Sequence, residues 1–337
     1  FSESLCYNIM LLLLFISSLT MFMSGLVASF EYDLKKIIAL STLSQLGLMM
    51  SILSLGDEML AFFHLLMHAL FKALLFMCAG TMIHSFNGCQ DIRFMGSVIL
   101  FMPLTGCFFN ICNMALCGLP FLSGFYSKDL ILEFLSMGYI NLYVYFVFYF
   151  SIGLTVMYSL RLLYFTMYGD FNGFSFSSLS DSSYFMLKGM GGLIFFVIFS
   201  GSIMSWLMFP TPYFICLPLM MKFMVYILVL VGGMLGLIFS KVLIVDSSKT
   251  SYFYLLSFFM SSMWNLSYLS TFGVSYYSLK AGGKLSEMLD QGWSEYLGSQ
   301  NLFNCVKTST MMMHNLFNNN LKIFLTLLLI WVCFLLI

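Results

Sequence analysis

What this sequence has least of is charge. Asp, Glu, Lys and Arg make up 8% of its 337 residues, against 61% hydrophobic. So little polar surface excludes a water-soluble globular domain and fits a polytopic helical membrane protein. The mean hydropathy of +0.97 agrees. Fourteen basic and fourteen acidic residues cancel, which removes any electrostatic case for nucleic acid. None of the nine cysteines forms a Cys-x-x-Cys pair. Cys107, Cys112 and Cys117 are five apart, a spacing that walks around a helix, and all nine read as small buried hydrophobes. A dinucleotide-binding glycine fingerprint, a phosphate loop and cluster-type cysteine spacing are also missing. No cleavable signal is expected ahead of the first apolar run, and a chain opening on Phe1 is expected to be part of a longer product.

What is present is a series of long apolar runs. The first, residues 7–30, closes on the polar knot Glu31-Tyr32-Asp33-Leu34-Lys35-Lys36. The second, about 37–55, carries Ser41, Thr42, Ser44 and Gln45, a stripe suited to hydrogen bonds between helices. Others cover about 59–83, 98–117, 121–137, 142–168, 186–209, 223–245 and 323–337. Gly118-Leu119-Pro120 breaks the chain between the fourth and fifth. Arg161, near the end of the sixth, is placed to snorkel, and Gly232, Gly233 and Gly236 in the eighth let helices approach closely. About 20 apolar residues cross a bilayer as a helix, so the fold expected is all-α, a transmembrane bundle of about nine spans. Residues 169–183 read as a loop. By alternation, Lys35, Lys36 and Arg93 lie on one side and Asp57 and Glu58 on the other. The positive-inside tendency puts the basic loops, 31–36 and 87–95, in the matrix or cytoplasm.

The third run contains His64-Leu65-Leu66-Met67-His68-Ala69-Leu70-Phe71-Lys72. At 3.6 residues per turn, positions 64, 68 and 72 advance only about 40° per step, so three titratable groups form one ridge roughly 12 Å long. A lysine at mid-membrane costs roughly 2.5–3.5 kcal/mol on insertion scales, and an intramembrane ionisable group points to function. Two histidines at i and i+4 also serve hydrogen bonding between helices. With the lysine on the same stripe, a proton path is the better reading, the histidines relaying between water and Lys72. As zinc ligands they lack a third His, Asp, Glu or Cys on that face. The short fifth run holds a second lysine, Lys128, with Asp129 beside it and Glu133 one turn beyond. There the alternative is a charge pair that holds a bent helix.

These residues carry a family signature. FHLLMHALFKALLFMCAG, followed by GLPFLSGFYSKDLILE and preceded by DLKKIIALSTLSQLG, resembles the subunit-five family of antiporter-like subunits in mitochondrial NADH–ubiquinone oxidoreductase, respiratory complex I. The likeness extends through LSEMLDQGWSEYLG to the final apolar run. It implies that Lys72 is the central lysine of a half-channel, with His64 and His68 as its connecting histidines. Lys128 takes the place of the terminal lysine on a discontinuous helix, Asp129 of the acid beside it, and Asp33 and Lys36 of a possible coupling loop. Glu133 joins the candidate relay. The resemblance also implies a lateral helix over about 285–317 followed by a last transmembrane anchor, and an earlier inverted repeat that this sequence does not contain.

The organisation expected is therefore a bundle over 1–245, a linker and lateral helix over 246–320, and an anchor over 321–337. The function implied is proton translocation by a subunit of H+-translocating NADH:ubiquinone reductase that has no redox centre of its own. NADH, FMN, Fe-S clusters and ubiquinone would belong to partner subunits. The partners implied are other membrane-arm subunits, especially neighbouring antiporter-like ones along the lateral helix, with membrane lipids around them in the mitochondrial inner membrane. An Mrp-type cation/proton antiporter and a structural clamp of the membrane arm are the competing readings.

Overall fold

A computed structural model describes residues 4–138, 142–174, 179–245, 254–318 and 320–336. Its contacts divide the chain into two compact units, Phe1–Trp264 and Asn265–Ile337. Phe1 and residues 246–253, where the composition turns polar, lie outside the described residues.

The first unit is a bundle built around α3 (Glu58–Ser85), which packs against α2 (Leu34–Ser54), α5 (Pro103–Cys117), α6 (Ser123–Met137) and α8 (Tyr184–Met208). Beyond them lie α1 (Tyr7–Phe30), the short α4 (Val98–Phe101), α7 (Leu142–Leu163), α9 (Leu219–Val245) and α10 (Tyr254–Ser261). α7 continues through a wider π-type turn, Tyr164–Tyr168. Local chemistry sets the helix starts. Asp57 caps α3 by accepting from the Leu60 backbone N–H at 3.3 Å, and Glu58 beside it suits the positive end of the helix dipole. Pro103 opens α5, and the cap comes from far along the chain: Asp181 accepts from Leu104 N–H at 2.9 Å and from the Thr105 hydroxyl at 3.1 Å. Gly232 and Gly236 do bring α9 onto α7. A Cβ at Gly232 would stand 2.4 Å from the Gly153 carbonyl oxygen, and one at Gly236 2.7 Å from that of Met157.

Among the described residues six helices are long and apolar enough to cross a membrane: Tyr7–Phe30, Leu34–Ser54, Glu58–Ser85, Leu142–Tyr168, Tyr184–Met208 and Leu219–Lys241. Of the about nine spans expected from apolar runs, the ninth lies in a helix of only 16 residues, and the fourth and fifth, in helices of 15 residues each, make one crossing between them. α5 begins beside Asp181, on the side where α7 ends. α6 ends where Phe134 meets Tyr213, beside Asp57 on the opposite side. Two helices of 15 residues each therefore share a single passage. The chain between them, broken at Gly118-Leu119-Pro120, makes this the discontinuous element that was expected.

The sidedness read from alternation also holds. An antiparallel bridge joins Asp33 to Asp91, so the loops after α1 and after α3 lie together, while Tyr213 donates to Asp57 at 3.1 Å on the other side. Two expectations change. Arg161 does not snorkel: it is 1% exposed, because a carbonyl and two aromatic faces receive it inside the bundle. Of the nine cysteines, Cys78, Cys112 and Cys117 are buried, Cys89 is partly so, and the other five are exposed, on helix faces and segments that the chain itself leaves uncovered.

In the second unit one helical stretch runs from Tyr268 to Asn318. It contains α11 (Gly273–Leu285), π-type turns at Ser286–Trp293 and Tyr296–Gln300, and α12 (Asn301–Asn318). At 1.5 Å per residue it is roughly 75 Å long. α13 (Leu321–Leu336) follows; at 16 residues it is short for a span by itself.

Candidate functional site

The ridge on α3 is buried as the spacing requires: His64 is 0%, Lys72 4% and His68 8% exposed. Each member has a different partner. The Lys72 ammonium donates to the Ser41 hydroxyl of α2, which in turn donates to the Ile38 carbonyl at 2.7 Å. His64 reaches two helices at once, with Nε2 at 3.2 Å from Gln45 Oε1 on α2 and Nδ1 at 2.9 Å from Ser127 Oγ on α6. An amide oxygen can only accept, so Nε2 carries the hydrogen and, in the neutral ring, Nδ1 accepts from Ser127. The Ser127 hydroxyl also lies 3.3 Å from the Gly124 carbonyl, so its one hydrogen has two acceptors. His68 lies between, its ring 6.2 Å from that of His64 and edge-on to Phe71 at 5.3 Å. Its Nε2 is buried with no hydrogen-bond partner among the described residues.

Of the polar stripe expected on α2, Ser41 and Gln45 receive α3, whereas Ser44 and Thr42 bond carbonyls of their own helix, at Ser41 and Ala39. Ser127 was visible only as the residue before Lys128, and its bond to His64 was not legible. Helix numbering relates residues on one helix, whereas this bond joins positions 63 apart in sequence.

Lys128, 3% exposed, is held by the break in the chain. α5 ends in a Schellman motif: Gly118, at φ +81, donates to Ala115 at 3.1 Å and Leu119 donates to Met114 at 3.2 Å. That satisfies two of the last carbonyls and leaves the Leu116 oxygen, which Lys128 Nζ takes at 2.7 Å. A cation at a helix C-terminus also meets the negative end of the dipole. The approach requires Gly124, where a Cβ would stand 1.8 Å from the Ala115 carbonyl oxygen. Lys128 makes no ion pair with Asp129 or Glu133 among the described residues, so the alternative of a charge pair bending the helix does not hold. Asp129 shares a small cavity with Tyr226 of α9. Asp129, Lys128, Leu132, Ile152 and Tyr226 line a cavity of about 40 Å³ beside Pro120. Glu133 is half-buried, further along α6.

Asp33 and Lys36 lie away from this row. They pair with each other at 2.9 Å, both partly exposed. Next to them the loops clasp: Leu34 N–H donates to Gln90 at 2.9 Å and Ile92 N–H to Tyr32 at 3.0 Å. Two guanidinium groups face the Tyr32 ring, Arg93 at 4.2 Å and Arg161 at 4.7 Å from its centroid, and Arg161 Nη1 donates to the Glu31 carbonyl at 2.8 Å. Such cation–π contacts are worth about 2 kcal/mol when desolvated. Burial alone would raise the Asp91 carboxyl. The hydrogen bonds and charge of Arg93, 2.6 Å away, outweigh it and hold Asp91 below its ordinary value. On the opposite side, burial and then the Asp57 carboxylate push the Tyr213 hydroxyl up to about 12, so it remains a donor at neutral pH.

Known proteins match this arrangement along almost the whole chain. The family described as NADH dehydrogenase subunit 5 C-terminus matches residues 158–337, and the one described as NADH:quinone oxidoreductase/Mrp antiporter, TM, matches residues 3–156. NADH-ubiquinone oxidoreductase chain 5 of Anopheles quadrimaculatus is 52% identical over 319 residues, 95% of this chain and 55% of the relative. That of Locusta migratoria is 52% identical over 321 residues, 95% of this chain and 56% of the relative, and that of Lumbricus terrestris 38% over 301, 87% and 51%. The chain spans about half the length of the curated relatives it matches. A chain in the structure of the Mrp complex from Dietzia sp. DQ12-45-1b superposes with a TM-score of 0.62 at 18% identity, covering 90% of this chain and 34% of that one. At that identity the likeness speaks for the fold alone. The family match over residues 158–337 and the identity to its relatives leave one assignment: this multi-pass membrane chain belongs to the NADH dehydrogenase subunit 5 family.

Proposed function

We propose that the chain is part of the antiporter-like membrane-arm subunit of NADH:ubiquinone oxidoreductase, complex I, and moves protons through a buried row of Lys72, His68, His64 and Lys128. On this reading electrons pass from NADH to ubiquinone in partner subunits, which hold the FMN and iron–sulfur clusters. This chain contributes only side chains that take up and release protons. The setting is the mitochondrial inner membrane. The neighbours are other membrane-arm subunits, reached along the helix over 285–317, with lipid on the remaining faces. Asp129 and Glu133 extend the row beyond Lys128, and the loop of Asp33 and Lys36 is the candidate for coupling.

One observation carries the reading. Fully buried His64 bonds Ser127, the residue before Lys128, while standing on the same ridge as Lys72. A buried imidazole, a group able to take up and release protons, thereby stands between the helices that carry the two lysines. Two unit charges about 12 Å apart at an effective dielectric of about 20 interact by about 1.4 kcal/mol, so the charge state of one station shifts its neighbour's about tenfold.

In the assembled complex, Lys72→Met is expected to remove most proton pumping while the subunit remains inserted; a normal ratio of protons to electrons in that variant sinks the proposal. The Mrp-like fold raises cation/proton exchange as a second reading. Native electrophoresis separates the two, since a large NADH-oxidising assembly supports the first and a small ion-exchange complex the second.

A further inference from the structure

Arg161 is the charged residue that the row leaves unused. It lies in the apolar helix α7 at 1% exposure, and no acidic side chain pairs with it among the described residues. A guanidinium carries five N–H donors. Nη1 donates to the Glu31 carbonyl at 2.8 Å, while Nε and Nη2 are buried with no hydrogen-bond partner among the described residues. Burying a cation without a counter-ion is unfavourable, and an apolar side chain of similar size would pack there without that cost. An ionisable group kept inside a membrane helix therefore points to function.

Beyond α7, Arg161 meets the turn that joins α1 to α2. Glu31 is the C-cap of α1, where carbonyls lack intrahelical donors and the helix dipole is negative. The guanidinium also faces the Tyr32 ring at 4.7 Å. Arg93 faces the same ring at 4.2 Å, but it is exposed and already paired with Asp91. Arg161 is thus the buried hold on this turn.

The turn bears on the row because α2 starts there. Leu34, its first residue, donates to Gln90, and Ile92 donates to Tyr32, so two backbone bonds tie the start of α2 to the chain that leaves α3. From this tied end α2 runs about 10 Å to Ser41 and one turn further to Gln45, the partners of Lys72 and His64. A helix is stiff along its axis, so the place of Leu34 sets the height of both side chains against α3. A slide by one residue's rise, about 1.5 Å, takes a hydrogen bond out of its working range. We propose that Arg161 is a positioning residue for the row. By holding Glu31 and Tyr32 from α7, it fixes the height of α2 against α3, and with it the partners of Lys72 and His64.

This inference rests on the proton-translocating reading above, and two readouts on the assembled complex in vesicles keep them apart. The first is hydrogen exchange in peptides spanning Leu34 and Ile92, whose N–H groups close the tie. Both should exchange faster in Arg161→Met, while Leu60, capped at the far end of α3, is unchanged. The second is the ratio of protons moved to NADH oxidised, normalised to subunit content. It should fall about fivefold, the value of one hydrogen bond. Ser41→Ala acts on the same partner of Lys72, so the double variant should do no worse than the more affected single variant. An independent packing defect would instead multiply. Unchanged exchange at Leu34 and Ile92, an unchanged ratio, or multiplying deficits each overturn the positioning role. If that happens while Lys72→Met loses pumping, the proposed function stands; if Lys72→Met pumps normally, the proposed function itself fails. Should Arg161→Met not assemble, Tyr32→Leu removes the ring that receives the guanidinium, and the same two readouts decide.

Discussion

Lys72 and Lys128 are equally buried but are held by different chemistry. Lys72 sits on an unbroken helix of 28 residues and bonds a side chain, the Ser41 hydroxyl of a neighbouring helix. Lys128 sits at a break and bonds main chain, the Leu116 carbonyl that a Schellman motif leaves over. A hydroxyl can rotate and exchange donor for acceptor, whereas a helix-end carbonyl is fixed in place and only accepts. The partner of Lys72 can therefore reorient when the charge there changes, whereas the partner of Lys128 cannot.

That contrast orders the expected effects of mutation. The largest belongs to the junction that Lys128 depends on. Gly124→Ala drives a Cβ into the Ala115 carbonyl and should cost roughly 3 kcal/mol or more, seen as loss of assembled complex on native gels. Lys128→Met comes next: besides abolishing pumping it strands the Leu116 oxygen, at about 1–3 kcal/mol, so thermal stability should fall as well. Lys72→Met strands only a hydroxyl that already donates to Ile38, and stability should change less than with Lys128→Met. Equal thermal shifts for the two lysine variants would show that the contrast in their partners has no energetic meaning. Gly118→Ala has room, its nearest side-chain atom being Lys128 Cδ at 3.8 Å. It must, however, hold φ +81, which costs about 1–2 kcal/mol and should appear as a modest fall in Tm with pumping retained.

The smallest effect lies in the loop clasp, far from either lysine. Arg93 holds the Asp91 carboxyl below its unfolded value, so the pairing stabilises the clasp above the unfolded pKa of about 3.9. That stability is lost as pH falls through the lower folded value. Hydrogen exchange in residues 87–95 should rise in that acid window, and Asp91→Asn should remove the pH dependence.

Much of this was legible because helical arithmetic is local. Residues 64, 68 and 72 share a face on any regular helix, and the cost of placing them in hydrocarbon marks them without reference to their surroundings. Ser41 and Gln45, one turn apart on α2, were legible for the same reason. Arg161 was misread because a long cationic side chain near a helix end can reach outward or inward. The inward choice depends on Glu31 and Tyr32, which are distant in sequence. The fourth and fifth apolar runs looked like two spans because length and hydropathy do not say which side of the membrane a short helix ends on.

The sequence by itself determined that this chain lies in a membrane as helices, that the His64–Lys72 ridge is one surface, and that the chain breaks at Gly118-Leu119-Pro120. These follow from composition, from 3.6 residues per turn and from the conformational limits of glycine and proline. Only the tertiary structure decided what each ridge residue touches: Ser41 at Lys72, Gln45 and Ser127 at His64, and a helix end at Lys128. Hydrogen-bond partners on other helices are set by how the helices pack, and no pattern along one helix contains that information.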